Sequence, residues 1–473
     1  MNRKEHSILY LARVVLEAVT PLSVSTGTPD NVFDTALVRD ANGLPAIPGS
    51  SLAGVLRHLW WDEYDQKSME EIFGFQKRKE GRPSRLQASW GHLLDSKGQV
   101  AEGLLLGDAG RKCLQDSLYA AALAQIEEPV FRNRVRITHR GAAADSAKFD
   151  RAVLPAGNRF ALELRLWARP EEGDQEWRRL LGLLAHPGFR LGGATRAGLG
   201  RVKPHAVHQR CFDLTEEADA EAFRTLDRAL DVVAGLQPHE PQSGVRGWLE
   251  GVLELEARGL WRIGQGDRSL DARNEKPADL LPVVEECIVW DHGEGVRKPV
   301  FVLLPGSSLK GALAHRMAFH LRRFSGLWAG DDNTDERPEA LEILLGAVKD
   351  EGDPGRAGVL FVDDARLPAD AVQVVRLMHN AIDRFTGGVR NRVLFEEESL
   401  LGGKVQVNIN LNLGRLQPHE NQIRRALKAA LDDLARGRLG LGSRSTTGNG
   451  FFEGRLTGKL DEWLKQETGE VAA

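Results

Sequence analysis

Cysteine is scarce in this sequence, which has three in 473 residues. Cys113, Cys211 and Cys287 lie far apart and show neither a Cys-x-x-Cys pair nor a Cys/His ligand spacing. An odd number of isolated cysteines argues against a disulfide framework, and their spacing argues against a structural zinc site. We therefore expect neither.

Long hydrophobic runs are also missing. No apolar run approaches the roughly 20 residues that a membrane-spanning helix needs. The start of the sequence carries charges and a strand-like spacing, where a secretory signal would have an unbroken apolar block. We therefore expect a cytoplasmic protein with no membrane partner.

A strong charge of one sign and two catalytic signatures are absent as well. The net charge is −4, so a nucleic-acid role would require the basic residues to be gathered on one surface. The phosphate-binding pattern GxxxxGK[ST] is missing, which argues against a nucleotide triphosphatase. The G-x-S-x-G turn of serine hydrolases is missing too, and no Asp or His partner is signalled for a serine nucleophile.

What the sequence does contain is a Pro-Gly-Ser-Ser-Leu turn that occurs twice, which we call the PGSSL corner. IPGSSLAGVLRHL spans residues 47–59, and LLPGSSLKGALAHRM spans residues 303–317. Three more landmarks recur in order: a strand-like run with a small-residue turn, a basic Gly/Ala-rich segment ending in Phe and an acid, and a glycine-rich tail. They occupy 14–27, 136–150 and 191–202 in the first copy and 252–266, 381–398 and 439–452 in the second. Four landmarks in register indicate a tandem duplication.

The duplication divides the chain into two domains, which agrees with its length of 473 residues. The first domain is placed at 1–235 and includes a helix predicted over 217–236 at its end. A turn-rich linker at 236–245 contains Pro, Gly and Ser. The second domain is placed at 246–473.

Both halves mix two kinds of hydrophobic pattern. LELRLWA (162–168) and KVQVNINLNL (404–413) alternate with the period of a strand, and other segments have helical spacing. This mixture predicts an α+β fold in which helices lie on one side of each sheet.

Each corner has the residues of a helix start that could hold an anion. The Pro-Gly pair bends the chain, and the serines that follow it are predicted to cap the helix. A helix N-terminus presents unpaired N–H groups and a partial positive charge, so it can bind a phosphate. A capped helix with no ligand is the alternative.

Basic residues gather at the other landmarks. Arg132, Arg134 and Arg136 alternate and would share one strand face, although a solvated edge strand would have the same pattern. In the second copy arginines surround a Thr-Gly-Gly loop, and both glycine-rich tails contain further arginines. Glycine, hydroxyl groups and arginine together suit a phosphate backbone. The candidate RNA-binding residues are Ser50, Ser51, Arg57, Arg134, Arg136, Arg196, Ser307, Ser308, Lys310, Arg316, Arg384, Arg390, Arg392 and Arg444.

Three features of the sequence resemble the RAMP superfamily. They are the PGSSLxG corner, the segment IDRFTGGVRNRVLFEEE (382–398) and the glycine-rich tails. More narrowly, they are similar to the backbone subunits of type III CRISPR–Cas effector complexes, and double-domain subunits of type III-D complexes look closest. The resemblance covers both halves and most of the chain. It implies one ferredoxin-like (RRM-like) core per domain, with inserted thumb or loop segments.

The resemblance also implies an activity and partners. Such domains line up along a guide RNA (crRNA), and their thumbs interrupt the duplex of guide and target RNA. The target RNA is cut at each interruption with a divalent metal such as Mg²⁺, and an aspartate is required. The implied partners are crRNA, target RNA, other RAMP backbone subunits, and the large polymerase-like and small subunits of the complex.

The family's aspartate lies before the corner, in a pattern like D-x-P-V-x-x-D-x-x-x-G-x-P-x-I-P-G-S-S. DTALVRDANGLPAIPGSS (34–51) matches nearly every anchor, apart from Ala36 where proline is usual. The resemblance makes Asp34 the catalytic candidate and the candidate Mg²⁺ ligand, a role that carboxylate oxygens suit. A turn-forming or solvated aspartate is the alternative.

The second copy departs further from this pattern. In ADLLPVVEE, Asp279 lies closest to the expected place, displaced by one residue relative to its proline. Asp271 and Asp267 are rivals, and we expect the first domain to be active in preference to the second.

Two other functions stay open. A non-catalytic RNA-binding scaffold or capping subunit of the same complex would keep the glycine and arginine elements. A guide-RNA-processing endoribonuclease of the same superfamily would need no metal and would use a positioned His, Tyr or Lys.

Overall fold

The computed structural model describes residues 6–27, 36–78, 80–138, 141–264, 266–273, 276–327, 337–347 and 355–466. In the first half, the elements in chain order are β1 (Ile8–Ala18), β2 (Ala46–Ile47), α1 (Gly49–Glu63), α2 (Gln66–Phe73), β3 (Phe75–Lys77), β4 (Glu80–Arg82), β5 (Leu86–Ala88), β6 (Gly91–Leu93), α3 (Gly107–Cys113), α4 (Ser117–Ala124), β7 (Arg134–Ile137), β8 (Ala143–Phe149), β9 (Arg159–Ala168), α5 (Gln175–Gly182), β10 (Ala197–Gly198), β11 (Val202–Asp213), α6 (Glu217–Thr225) and β12 (Gln237–Pro238).

The second half continues the series. Its elements are β13 (Trp248–Ala257), β14 (Leu260–Trp261), β15 (Val284–Asp291), β16 (Glu294–Leu304), α7 (Gly306–Phe324), α8 (Glu339–Leu345), β17 (Gly346–Ala347), β18 (Arg356–Ala357), β19 (Leu360–Asp363), β20 (Ala365–Pro368), β21 (Gln373–His379), β22 (Phe395–Leu401), β23 (Lys404–Asn412), α9 (Glu420–Ala435), β24 (Phe452–Thr457) and α10 (Lys459–Lys465).

Each half is built on a mainly antiparallel sheet with helices packed against it. The first sheet has the order β12-β11-β1-β9-β6-β2, and β5 also pairs with β9. The second has the order β10-β19-β23-β13-β24. The predicted strands 162–168 and 404–413 lie in the central strands β9 and β23, so the α+β prediction is confirmed.

The first sheet is covered on both faces around β1. Successive side chains of a strand point to opposite faces. Ala12, Val14 and Leu16 belong to the core shared with α1 and α5, whereas Leu9 and Leu11 belong to a smaller cluster with Phe212 on the other face. This explains why the run ILYLARVVLEA is buried almost throughout.

The two sheets repeat the same pairing next to the corner. Leu86 of β5 lies opposite Leu166 of β9, and Leu360 of β19 lies opposite Leu411 of β23. In each half this short strand packs against the helix that follows the PGSSL corner. β5 and β19 are therefore equivalent strands of the two repeats.

The glycine-rich tails also have one backbone conformation. The N–H of Leu191 donates to Gly200 O at 2.9 Å, and the N–H of Leu441 donates to Gly450 O at 2.8 Å. Midway along each tail one non-glycine residue lies in the left-handed region, Ala194 at φ 56° and Arg444 at φ 57°. The repeat predicted from sequence is thus a repeat in backbone geometry, with Ala194 equivalent to Arg444.

The prediction that serines cap the helices of the two corners is wrong. α1 begins at Gly49 and α7 at Gly306, so the N-cap residues are Pro48 and Pro305 and neither makes a side-chain capping bond. The serines already lie inside the first helical turn. The helices therefore start at least two residues earlier than the serine-cap pattern implies.

Close backbone packing explains this start. A Cβ on Gly49 would lie 2.2 Å from Ala88 O, and one on Gly306 would lie 2.3 Å from Val362 O. Any larger residue would push the helix off the strand beside it. The glycine of each corner is required by this contact with β5 or β19.

The helix predicted over 217–236 is shorter than expected. α6 ends at Thr225, after nine residues. Beyond it, the carbonyls of Asp227 and Val232 accept hydrogen bonds from the buried guanidinium of Arg13, and the Asp227 side chain accepts from the N–H of Ala229 at 2.9 Å. These bonds satisfy the backbone without a helix, so the pattern there reflects packing against the sheet.

Candidate nucleic-acid interface

Two hairpins present basic and apolar side chains to solvent. In the first half, β7 pairs with β8 and Arg134 lies opposite Phe149. Val135, Ile137 and Phe149 are exposed, as is the side chain of Arg136. Exposed apolar and cationic groups on one hairpin are the combination that contacts nucleic-acid bases and backbone.

The second hairpin, β21–β22, carries the predicted loop. Phe385 is 85% exposed, and the Arg384 guanidinium lies 5.0 Å from its ring centroid. Arg390 and Arg392 are exposed, and none of the three arginines forms an ion pair with a carboxylate of the described residues. Their charge is therefore available to an external anion.

An aspartate holds this loop in shape. The Asp383 carboxylate accepts hydrogen bonds from the N–H groups of Phe385 at 3.0 Å and Thr386 at 2.9 Å. The bonds from Thr386 and Phe385 lower the pKa of Asp383. The loop closes with a bridge between Ile382 and Val389. Phe385 is therefore presented on an ordered turn, with little of its own backbone entropy left to lose on binding.

The corner helices differ in what their first N–H groups meet. Ser50 is exposed, and Ser51, Ser307 and Ser308 are half-buried. The N–H of Gly306 donates to Asp364 Oδ1 at 2.8 Å, so a protein carboxylate already faces the N-terminus of α7. That carboxylate occupies the position a phosphate would take. The exposed start of α1 is the better anion site of the two.

Three predicted RNA-binding cations lie around the glycine-rich tail of the first repeat. Arg134 donates to Ala197 O at 2.9 Å, and Arg196 donates to Gly358 O at 2.5 Å. Lys310 donates to Arg196 O at 3.1 Å and also to a β19 carbonyl at 3.0 Å. Arg196 and Lys310 join the tail of the first repeat to the second repeat, whereas Arg134 contacts that tail within the first repeat. An RNA contact stays a prediction for each.

Burial perturbs these three cations. Desolvation, with the neighbouring charges of Arg196, Arg337 and Arg134, lowers the pKa of Lys310 to about 7. Desolvation also lowers the pKa of Arg134 and of Arg196. A cluster of cations that pairs with carbonyls would gain from an anion placed among them.

The remaining predicted cations lie apart from one another. Arg57 is exposed and its Nε lies 3.0 Å from Met69 Sδ. Arg316 pairs with Asp433 at 2.6 Å. Arg444 Nε lies 3.5 Å from Glu397 Oε2 at the base of the second hairpin. Arg444 thus stands beside the hairpin, whereas Arg57 and Arg316 belong to the corner helices.

The catalytic candidates are separated. Asp34 lies outside the described residues. Asp279 is exposed and accepts a hydrogen bond from the N–H of Glu396 at 2.8 Å, which places it where β22 begins. Asp271 is buried and pairs with Arg273 at 2.8 Å, and Asp267 is exposed. Of the three second-repeat acids, Asp279 is the one held against the basic hairpin.

A buried acid that the sequence reasoning missed organises this region. Glu397 on β22 is fully buried and accepts from Arg262 at 2.8 Å. His379 Nε2 lies 3.1 Å from the same carboxylate, close to Arg444. The three consecutive acids of FEEES within a strand were the available signal, since an acid that alternates inward must be paired.

Among the described residues, no group of three or more His, Cys, Asp or Glu side chains could hold a metal ion. No helix of that same part of the chain combines the length and apolar character needed to cross a membrane. A single exposed carboxylate can still contribute to a Mg²⁺ site completed by water and substrate oxygens.

The architecture defines a tandem of two α+β domains with one basic hairpin each. The RAMP superfamily matches residues 15–203 and 291–453, which is most of the chain, and a search of curated proteins found no match. The chain belongs to the RAMP superfamily, and its two repeats are ferredoxin-like domains. Membership implies a CRISPR-associated RNA-binding function.

Proposed function

We propose that the chain is a crRNA-binding backbone subunit of a type III CRISPR–Cas effector complex, nearest to the double-domain subunits of type III-D, and that it cleaves target RNA. The observation that carries the RNA-contacting part is the second hairpin, where Phe385 is 85% exposed beside arginines that have no described carboxylate partner. The proposed partners are crRNA, target RNA, other RAMP subunits, and the large and small subunits of the complex.

The hairpin chemistry suits a disrupted duplex. Arginine contacts phosphate oxygens with charge-assisted hydrogen bonds, and an exposed ring stacks on an unpaired base. Asp383 fixes the turn, so Arg384 and Phe385 act together without a large ordering cost. We expect Arg390 and Arg392 to contact the backbone on either side of the stacked base.

Cleavage is assigned to Asp34 in the first repeat and to Asp279 in the second. Mg²⁺, when bound with RNA, would neutralise charge on the scissile phosphate. The chain's own part is to hold a carboxylate beside the hairpin, as the Glu396 N–H holds Asp279. The hairpin would displace a nucleotide from the stack so that the neighbouring 2′-OH can align with the phosphate, and alignment supplies much of the acceleration.

The test is to reconstitute the complex and map the cuts in a complementary 5′-labelled RNA, with and without EDTA. Asp34→Asn should abolish one cut, and Asp279→Asn should abolish a different one, while guide RNA stays bound. Asp291→Asn is the matched control, since this acid is exposed in the second repeat and is not a catalytic candidate. Asp267→Asn and Asp271→Asn test the two rivals.

Other outcomes point to the alternatives. EDTA-insensitive cuts in the guide would indicate a processing enzyme. Intact target RNA in every variant and in the parent would indicate a scaffold or capping subunit. The scaffold has one specific argument in its favour: Arg196 and Lys310 donate hydrogen bonds between the repeats, which is a structural role.

A further inference from the structure

The second corner helix, α7, ends in a cluster of exposed rings and guanidinium groups. Phe319 is 50% exposed and Phe324 is 36% exposed, although phenylalanine is usually buried in a folded chain. Arg316 and Arg323 of the same helix and Arg425 of the adjacent helix α9 surround these rings. We call these five residues the helix-end patch.

Each exposed ring of the patch has a cation beside it. The guanidinium carbon of Arg316 lies 5.0 Å from the ring centroid of Phe319. The guanidinium carbons of Arg323 and Arg425 lie 4.9 Å and 4.6 Å from the ring centroid of Phe324. Since an aromatic ring attracts cations electrostatically, one ring holds two positive charges near each other without a carboxylate.

Much of this positive charge is not neutralised within the chain. Asp433 pairs with Arg316 at 2.6 Å and with the buried His320 at 2.8 Å. No ion pair joins Arg323 or Arg425 to a carboxylate of the described residues, and both arginines are exposed. An external anion placed between these two guanidinium groups would therefore be stabilised by both charges.

The first repeat has a different set of residues at the same place. The two corner helices align from their first residues, so Asp62 of α1 corresponds to Phe319 of α7. The Asp62 carboxylate pairs with Arg415 at 2.5 Å. Near it in sequence, the ring of Tyr64 has one guanidinium group beside it, that of Arg179 at 4.8 Å from the centroid. The first repeat therefore has an acid where the second has an exposed ring.

The patch lies away from the RNA surfaces described above. Phe319 is about 20 Å along α7 from the PGSSL corner, at the rise of an α-helix. The basic hairpin β21–β22 belongs to a separate three-stranded sheet. RNA bound at the patch would therefore lie outside the path that the corners and hairpins offer to the guide.

We propose that the helix-end patch is a second RNA site, which binds single-stranded RNA outside the duplex of guide and target. A phosphate would lie between Arg323 and Arg425, and an unpaired base would stack on Phe319. Stacking on an exposed ring needs an unpaired base and tolerates any base, so the site would bind single strands without sequence preference. The proposal does not depend on cleavage, because no residue of the patch is a catalytic candidate.

Photo-cross-linking to a labelled oligouridine tests the stacking contact. The photoreactive residue p-benzoylphenylalanine replaces Phe319 in the full-length chain, and in the control it replaces Trp61, an exposed ring on the first corner helix. The cross-linked yield should be at least about tenfold higher at Phe319 than at Trp61. Equal yields at the two positions overturn the proposal.

Polyglutamate distinguishes RNA from an acidic protein segment. When it is added at the same concentration of charge as the oligouridine, the cross-link at Phe319 should persist, because polyglutamate has no ring to stack. Loss of the cross-link under this condition would indicate a site for an acidic protein and overturns the proposal.

Filter binding of the same oligouridine over a salt series tests the charges. The chain used carries Arg384→Ala and Phe385→Ala, so that the second hairpin does not obscure the patch. Adding Arg425→Ala should weaken binding and reduce the slope of log K against log salt by about 0.7. Arg179→Ala is the matched control in the first repeat and should leave the slope unchanged. An Arg425→Ala slope equal to that of its background overturns the proposal.

Two substitutions at Phe319 separate stacking from simple apolar contact. Phe319→Leu should weaken binding at least about fivefold with no change in the salt slope, whereas Phe319→Tyr keeps the ring and should bind like its background. A thermal melt by circular dichroism checks that both variants are folded. A folded Phe319→Leu variant with unchanged binding overturns the proposal. None of these measurements uses cleavage, so a failure of the cleavage proposal is read separately.

Discussion

Replacing Lys310 by methionine should change how the stability of the chain depends on pH. The amino group is buried between the repeats, where it donates to Arg196 O at 3.1 Å and to Leu360 O at 3.0 Å. Burial, with the charges of Arg196, Arg337 and Arg134, lowers its pKa from 10.5 to about 7. The folded chain therefore releases a proton that the unfolded chain keeps.

The size of the effect follows from the two pKa values. Between pH 7 and pH 10.5 the unfolded chain binds more protons, so the free energy of unfolding rises with pH across this window. One pKa unit corresponds to about 1.4 kcal/mol, so the whole window is worth at most about 5 kcal/mol. Methionine removes the buried charge and loses two hydrogen bonds of about 1 kcal/mol each. The parent should be about 3 kcal/mol less stable than the variant below pH 7 and about 2 kcal/mol more stable above the window.

Urea unfolding followed by circular dichroism at several pH values measures the difference between the two proteins. Other groups that titrate in this range cancel in that difference. Lys404→Met is the matched control, because this lysine is exposed and its removal should shift stability equally at every pH within the window. A parent-minus-variant difference that stays flat from pH 7 to pH 10 would refute the assignment of Lys310 as a buried cation.

Two further predictions concern the corners and the second hairpin. Gly49→Ala and Gly306→Ala should each lower the free energy of unfolding by about 2 kcal/mol or more, because a Cβ there overlaps a backbone oxygen, whereas Gly54→Ala should raise it by up to about 1 kcal/mol. Urea unfolding checks this, and equal losses at all three positions would contradict it. Arg384→Ala should weaken RNA binding and reduce the slope of log K against log salt by about 1. Phe385→Ala should cost about 1–3 kcal/mol of binding with no change in that slope. Filter binding over a salt series distinguishes the two, and equal slopes for both variants would contradict the division of roles.

Much of the fold was predictable because the same landmarks occur twice in the sequence. The PGSSL corners, the alternating strands and the glycine tails recur in order, and the structure gives them matching registers. Leu86 pairs with Leu166 as Leu360 pairs with Leu411. A pattern that occurs once can have several causes, but one that returns at each of several landmarks is constrained by the packing of a whole domain.

The parts that were mispredicted or missed depend on contacts distant in sequence. The helix start at Gly49 is set by the backbone of Ala88, which no local capping rule includes. Glu397 was read as part of a landmark, and only the pairing of β22 reveals that it is buried against Arg262. A cation beside glycines is equally suited to RNA phosphates and to backbone carbonyls, so the sequence alone could not place Arg196 and Lys310 between the repeats.

The differences between the two repeats are as informative as their likeness. The contact between the repeats contains Arg196, Asp363 and Asp364. The equivalent positions of the second tail and of the segment after β5 have Thr446, Ser89 and Trp90. The buried charged contact is costly to separate once formed, since each partner would leave an unpaired charge behind. The contact that joins the two repeats is therefore permanent, and the neutral residues at the equivalent positions of the second tail and of β5 cannot reproduce its ion pairs.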